Sequence, residues 1–159
     1  MPNKKPSKKI SLPQPADGVW YAEGLKFGCT QCGNCCSGGP GFVWVTIDDL
    51  VNIAGFLQMD VEAFSKTYVR RIHGALSLIE KRAADYDCIF LKREDGKAMC
   101  GIYPVRPTQC RTWPFWNQNL NSPQAWENAA ENCPGMRNGK GKSYDFETIE
   151  AGRLHPESP

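Results

Sequence analysis

An α+β fold in one small, irregular domain is what this sequence predicts: a helix pair and a short β-hairpin, tied together by cysteine-ligated metal. Three observations predict it. The chain has 159 residues, room for one domain with a modest core. Apolar residues recur at helical spacing between positions 46 and 71, and β-rich runs bounded by turn residues lie on either side. Eight cysteines occur in this short chain, four of them within Cys29-Thr30-Gln31-Cys32-Gly33-Asn34-Cys35-Cys36, the others being Cys88, Cys100, Cys110 and Cys133.

Residues 1–18 are rich in lysine and proline and poor in apolar side chains, the composition of a mobile basic arm. Residues 19–153 make up the predicted cysteine-cluster domain, and 154–159 a tail. Trp20, Tyr21, Leu25 and Phe27 bring apolar surface up to the first cysteine. Ser37-Gly38-Gly39-Pro40-Gly41 is turn chemistry, and Phe42-Val43-Trp44-Val45 a short β-rich run. Thr46 reads as a helix N-cap with Asp49 three residues on, close to a capping box, and Leu50, Val51, Ile53, Ala54 and Leu57 share one face. Asp60 starts a second helix with Val61, Phe64, Tyr68 and Val69 inward and Lys66, Arg70 and Arg71 outward, ending by Gly74.

Ala75 to Ile79 fits either strand or helix. Asp87 to Met99 reads as a hairpin turning at Glu94-Asp95-Gly96, with Cys88 and Cys100 facing each other at its open end. Pro107 suits the first position of a short helix toward Cys110. Ser122-Pro123 repeats that signal before a helix through Trp126 and Ala130 that stops at Cys133-Pro134-Gly135. A Gly/Lys-rich loop over 136–143 precedes a last helix over Tyr144–Arg153. Trp113-Pro114-Phe115-Trp116 reads as core, because it lacks the interleaved basic residues of a base-stacking platform.

Composition narrows the function. Hydrophobic content of 41% and charged content of 23% belong to a globular protein. The net charge of +2 would turn slightly negative with eight thiolates around two divalent ions, so charge predicts neither a nucleic-acid nor a membrane partner. No apolar run is long enough to span a bilayer, and the basic start lacks the apolar segment of a secretory signal. The expected location is cytoplasmic, where thiols stay reduced and clustered cysteines bind metal rather than pair as disulfides.

Two thiols two residues apart can turn back onto one ion, which is why C-x₂-C recurs in zinc and iron–sulfur sites. Gly33 eases the backbone between the two knuckles. Lys26, Arg106 and Arg111 are candidates to stabilise thiolate charge, with an ordinary ion pair as the competing role. In extended chain, Cys35 and Cys36 would point in opposite directions and so serve different metals, unless one is not a ligand. Two four-cysteine sites, or one site with buried structural cysteines, both follow from the count. Zinc, iron or an iron–sulfur cluster all suit sulfur ligands. Cys133-Pro134 echoes the C-P that closes a ferredoxin run, whereas no nucleotide fingerprint accompanies it. His73 and His155, the only histidines, read as surface residues, and no catalytic residue is singled out.

Taken together, Cys29-x₂-Cys32-x₂-Cys35-Cys36, Cys88-Ile89-Phe90-Leu91, Cys100-x₂-Tyr103-x₂-Arg106-Pro107-x₂-Cys110-Arg111 and Cys133-Pro134-Gly135 resemble the YkgJ-type cysteine-cluster family, described as zinc- or iron-chelating. The resemblance covers about Phe27 to Gly135. It implies that Cys29, Cys32, Cys35, Cys36, Cys88, Cys100, Cys110 and Cys133 are the metal-ligating set, without saying which holds which ion. Tyr103, Arg106, Pro107 and Arg111 match too, and we read them as a rigid turn that places Cys110 and offers guanidinium groups to thiolates. The expected function is metal binding by these eight cysteines at one or two centres. The alternatives are an iron–sulfur oxidoreductase passing electrons to a partner or small substrate, and a protein-interaction module with structural zinc. The partner expected is the metal ion itself; no protein partner is indicated.

Overall fold

The computed structural model describes residues 17–153; the arm through residue 16, the tail at 154–159 and His155 lie outside the described residues. Its first strand, β1 (Leu25–Phe27), pairs antiparallel with the last, Lys142–Tyr144, in the register Leu25↔Tyr144. After the cysteine loop comes β2 (Val43–Trp44), then the helix pair α1 (Ile47–Phe56) and α2 (Val61–Tyr68). The Thr46 hydroxyl accepts from Asp49 N at 3.1 Å while the Asp49 carboxylate accepts from Thr46 N at 2.9 Å, the full capping box. Asp60 caps α2 by accepting from Glu62 N and Ala63 N.

The second helix ends at Tyr68, before the outward-facing Arg70 and Arg71 that the sequence assigned to it and well short of Gly74. Val69–Ile72 is instead β3, hairpinned to β4 (Ala75–Leu78) through His73-Gly74, both with positive φ, and β2 joins β4 on its other side. A two-residue turn of this kind matches strand twist and outcompetes another helical turn, particularly with β-branched Val69 and Ile72 flanking it. His73 sits exposed at the hairpin tip.

The predicted 87–100 hairpin is shorter and split. β5 (Glu80–Lys81) pairs with β6 (Asp87–Cys88), and β7 (Leu91–Glu94) pairs with β8 (Lys97–Cys100). Cys88 therefore opposes Glu80, and Leu91 opposes Cys100. The cause is Phe90, which drops between the two pieces into the core and stacks on Phe64 at 6.2 Å.

The remaining elements are short helices: α3 (Thr108–Thr112), α4 (Asn117–Leu120), α5 (Pro123–Glu131) and α6 (Pro134–Arg137), followed by β9 (Lys142–Tyr144) and α7 (Phe146–Arg153). Pro107 is the residue just before α3 rather than its first. Ser122 caps α5 by accepting from Ala125 N at 3.1 Å. The last helix begins two residues later than expected, because Tyr144 is spent on β9 and Asp145 accepts from Thr148 N. The architecture is mixed α and β, as predicted, and among the described residues no helix is long and apolar enough to cross a membrane.

Two cores result. One gathers Tyr21, Phe115, Leu120, Trp126, Ala130, Met136, Phe146 and Ile149, and the other Val45, Leu50, Ile53, Ala54, Phe64, Leu78, Phe90 and Ile102. Phe115 bears out the core reading of its run, whereas Trp113 and Trp116 are only half-buried.

Candidate metal centre

The Cys29–Cys36 loop is strapped down on two sides. Gly28 N donates to Gly135 O at 3.2 Å and the Asn34 amide donates to Asn132 O at 2.9 Å, so the loop is tied on both flanks of Cys133. Ala98 N donates to Gln31 O at 3.3 Å, which fastens the loop to the β7–β8 hairpin. Gly33 makes this approach possible. Its φ is +77°, and a Cβ there would meet the Ala98 methyl at 2.5 Å. From Gly33 the chain turns into a 3₁₀ segment, Asn34–Cys36, closed by Cys36 N donating to Gly33 O at 2.9 Å.

That turn corrects the expected divergence of the cysteine doublet. Residues in a tight helical turn do not alternate as extended residues do, and the Cys35 and Cys36 sulfurs lie 3.8 Å apart. Zn–S bonds of about 2.3 Å at tetrahedral angles require sulfurs about 3.8 Å apart, so the separation of this pair matches the edge of a tetrahedral site.

Six of the eight cysteines line one cavity of about 290 Å³: Cys29, Cys35, Cys36, Cys88, Cys100 and Cys110. The loop supplies the first three, β6 the fourth, the end of β8 the fifth and α3 the sixth. Cys88 and Cys100 thus share the cavity although they do not face each other across a hairpin. Cys32 and Cys133 do not line it; Cys133 packs against the aromatic core at the start of α6. All eight are free thiols. Among the described residues no three Cys, His, Asp or Glu stand in the arrangement of a finished ion site. The thiols ring a common space without closing on one point. As a donor set they fit a thiophilic ion, being all sulfur with one pair at coordination distance.

The cavity sets the sulfurs apart electrostatically. A hydrogen bond from the Cys36 thiol lowers Cys35 to about 7, with Arg106 assisting, while the same bond and then burial raise Cys36. Burial pushes Cys88, Cys100 and Cys110 up, and Arg106 opposes this at Cys100 and Cys110. Of the three candidate cations, Arg106 therefore acts on the sulfurs. Arg111 instead donates to Thr108 and reaches buried Asp49 at 4.0 Å, and Lys26 is exposed on β1.

Sequence reasoning missed Gln109. Its side chain accepts from Trp44 N at 2.7 Å and donates to Phe42 O at 3.2 Å, pinning the strand before α1 to the helix that carries Cys110. Its place between Thr108 and Cys110 was the available signal. Trp113 and Trp116, read only as core, also line the cavity.

A small α+β scaffold that gathers thiols from four segments of chain around one cavity defines a cysteine-cluster protein. The sequence model of the CxxCxxCC family, described as a "putative zinc- or iron-chelating domain", matches residues 28–134, and the chain belongs to this family. An uncharacterized protein of Methanocaldococcus jannaschii is 34% identical over 130 residues, covering 79% of this chain, and the match spans 66% of that relative's length. No solved structure matches.

Proposed function

We propose that this chain is a cytoplasmic thiolate metal-binding protein, a single domain over residues 19–153 that chelates zinc or iron. The observation that carries the reading is the convergence of six thiols from four segments on one cavity, with Cys35 and Cys36 at the edge length of a tetrahedral site. Cys29, Cys35, Cys36, Cys88, Cys100 and Cys110 would hold the ion; Cys32 and Cys133, off the cavity, complete the eight-sulfur set. When bound, the metal supplies the positive charge that several crowded sulfurs need in order to ionise together. The chain's own part is to seat the loop through Gly33, to orient α3 through Gln109, and to hold Arg106 near the sulfurs. An iron–sulfur oxidoreductase is the finer alternative within the same cavity.

Anaerobic purification followed by metal and acid-labile sulfide analysis tests this. We expect stoichiometric zinc or iron that falls in Cys88→Ser and Cys110→Ser. Full-length protein that binds neither ion, before or after reconstitution, rejects the reading. Colourless protein with zinc rejects the oxidoreductase; brown protein with sulfide that bleaches on reduction supports it.

A further inference from the structure

Arg106 is the cavity residue whose geometry thiol chemistry does not use up. Two charged side chains line the cavity, Glu80 and Arg106. Glu80 is committed elsewhere, accepting from Gly41 N at 2.7 Å and pairing with Arg70 at 3.5 Å. The Arg106 guanidinium lies 3.8 Å from the centre of the Tyr103 ring, and its Nε donates to Tyr103 O at 3.0 Å. Ring and carbonyl together fix its plane. Its two terminal nitrogens have no protein acceptor among the described residues. A guanidinium stacked on an aromatic face with its fork free is organised for bidentate contact with a carboxylate.

The surrounding wall favours a flat body on that carboxylate. Trp113 and Trp116 line the same cavity edge to face, 4.8 Å between centroids, and Trp116 is fixed by donating to Gln109 O at 3.1 Å. Phe42 and Tyr103, also on the cavity, remain 47% and 46% exposed and so leave ring surface open beside it. A volume of about 290 Å³ lies just below the roughly 300–1,000 Å³ typical of small-molecule sites, so the ligand must be small.

We propose that the cavity binds a small planar carboxylate, its carboxylate on the Arg106 fork and its ring against Trp113 and Trp116, beside the thiolate centre. The inference rests on the metal-binding reading for what lies next to the ligand, and the two are tested by separate readouts.

Benzoate is the probe, titrated calorimetrically into anaerobic full-length protein whose metal content is measured in parallel. Saturable benzoate binding is expected, weakened roughly tenfold or more in Arg106→Gln reconstituted to the same metal content as wild type. Arg106→Lys, which keeps the charge and removes the fork, should also retain metal and lose benzoate affinity severalfold; it stands in if Arg106→Gln does not fold. Cyclohexanecarboxylate, equal in charge but puckered, should bind more weakly than benzoate. Arg106-dependent benzoate binding in protein that takes up neither zinc nor iron on reconstitution would uphold the ligand site while removing the metal reading. The proposal is overturned if metal-loaded protein does not bind millimolar benzoate, if the Arg106 variants bind it as wild type does, or if Arg106→Lys, which keeps the charge, loses its metal together with benzoate. That last result would mean that the Arg106 fork serves the metal site alone.

Discussion

The two cores differ in how far the chain must travel to build them. The aliphatic core is local: every buried member lies between Val45 and Ile102, and the capped helix pair and β3–β4 hairpin that form it are consecutive. The aromatic core is assembled from the two ends of the described chain. Trp20 donates to Leu120 O at 2.9 Å, the Tyr21 hydroxyl donates to Glu150 at 2.6 Å, and β1 pairs with β9. Loop-closure entropy weighs more on the second arrangement, so it gains more from any cross-link between distant segments. The cysteines are placed accordingly. Cys88 and Cys100 pack against the aliphatic core, Cys133 against the aromatic one, and the Cys29–Cys36 loop is fastened to both. On the metal-binding reading proposed above, an ion held by these sulfurs would join a region that folds locally to one that does not.

Removing the metal should have the largest effect and should split the two regions. After dialysis against a strong chelator, hydrogen exchange is expected to show protection lost across β1, β9 and the cysteine loop, with α1 and α2 retained. Uniform protection in verified apo protein would end the comparison. Next in size, Phe64→Ala should cost about 3–5 kcal/mol, because Phe64 is fully buried beneath the helix pair, yet should leave metal stoichiometry intact. Denaturant unfolding and metal analysis on the same sample check both halves.

Gly33→Ala follows, at about 1–3 kcal/mol with reduced metal content, since it combines a left-handed φ with a clash at Ala98. Adding Ala98→Gly should recover part of the loss, as the clash is relieved and the backbone strain is not; no recovery would mean that the hairpin is not what the loop rests on.

The smallest effect is expected in the aromatic region at low pH. Two hydrogen bonds from Arg153, aided by Tyr21, hold the Glu150 carboxyl below its ordinary value of 4.5, while burial and then Glu150 push the Tyr21 hydroxyl up to about 12. The folded state thus binds the Glu150 proton more weakly than the unfolded state does. Its stabilisation is complete well above pH 4.5 and is lost as pH falls through the depressed folded value. Arg153 is 30% exposed, so screening limits the contribution to about 1–2 kcal/mol. Glu150→Gln should lower stability at neutral pH and flatten the acid limb of a thermal-midpoint profile; an unchanged acid limb would separate this cluster from the stability of the aromatic core.

Local chemistry was legible in the sequence wherever side chain and backbone meet within a few residues. The Thr46–Asp49 box, the Asp60 cap and the Ser122-Pro123 start each name their helix. Legibility failed where one pattern served two structures. Val69 to Ile72 continues the helical spacing of α2, and only the His73-Gly74 turn reveals a strand. The β1–β9 pair has no local sign, because its partners are more than a hundred residues apart. At the site, the cysteines were plain but their directions were not. The opposed Cys35 and Cys36 assumed extended chain, and the facing Cys88 and Cys100 assumed an uninterrupted hairpin that Phe90 breaks.

The strap at Gly28 and Gly135 also sets a timetable. The crossing leaves no space for a side chain: a Cβ on Gly135 would fall on the Gly28 carbonyl, and one on Gly141 on the backbone of Phe27. On one side the loop is seated by backbone that is translated about a hundred residues after it. During synthesis the loop can meet Ala98 first, but its other two straps must wait for Asn132 and Gly135. An ion captured early would meet a flexible thiol-rich peptide, and only an ion captured late would meet the cavity. On the metal-binding reading, productive loading would wait for the segment from Asn132 to Gly135.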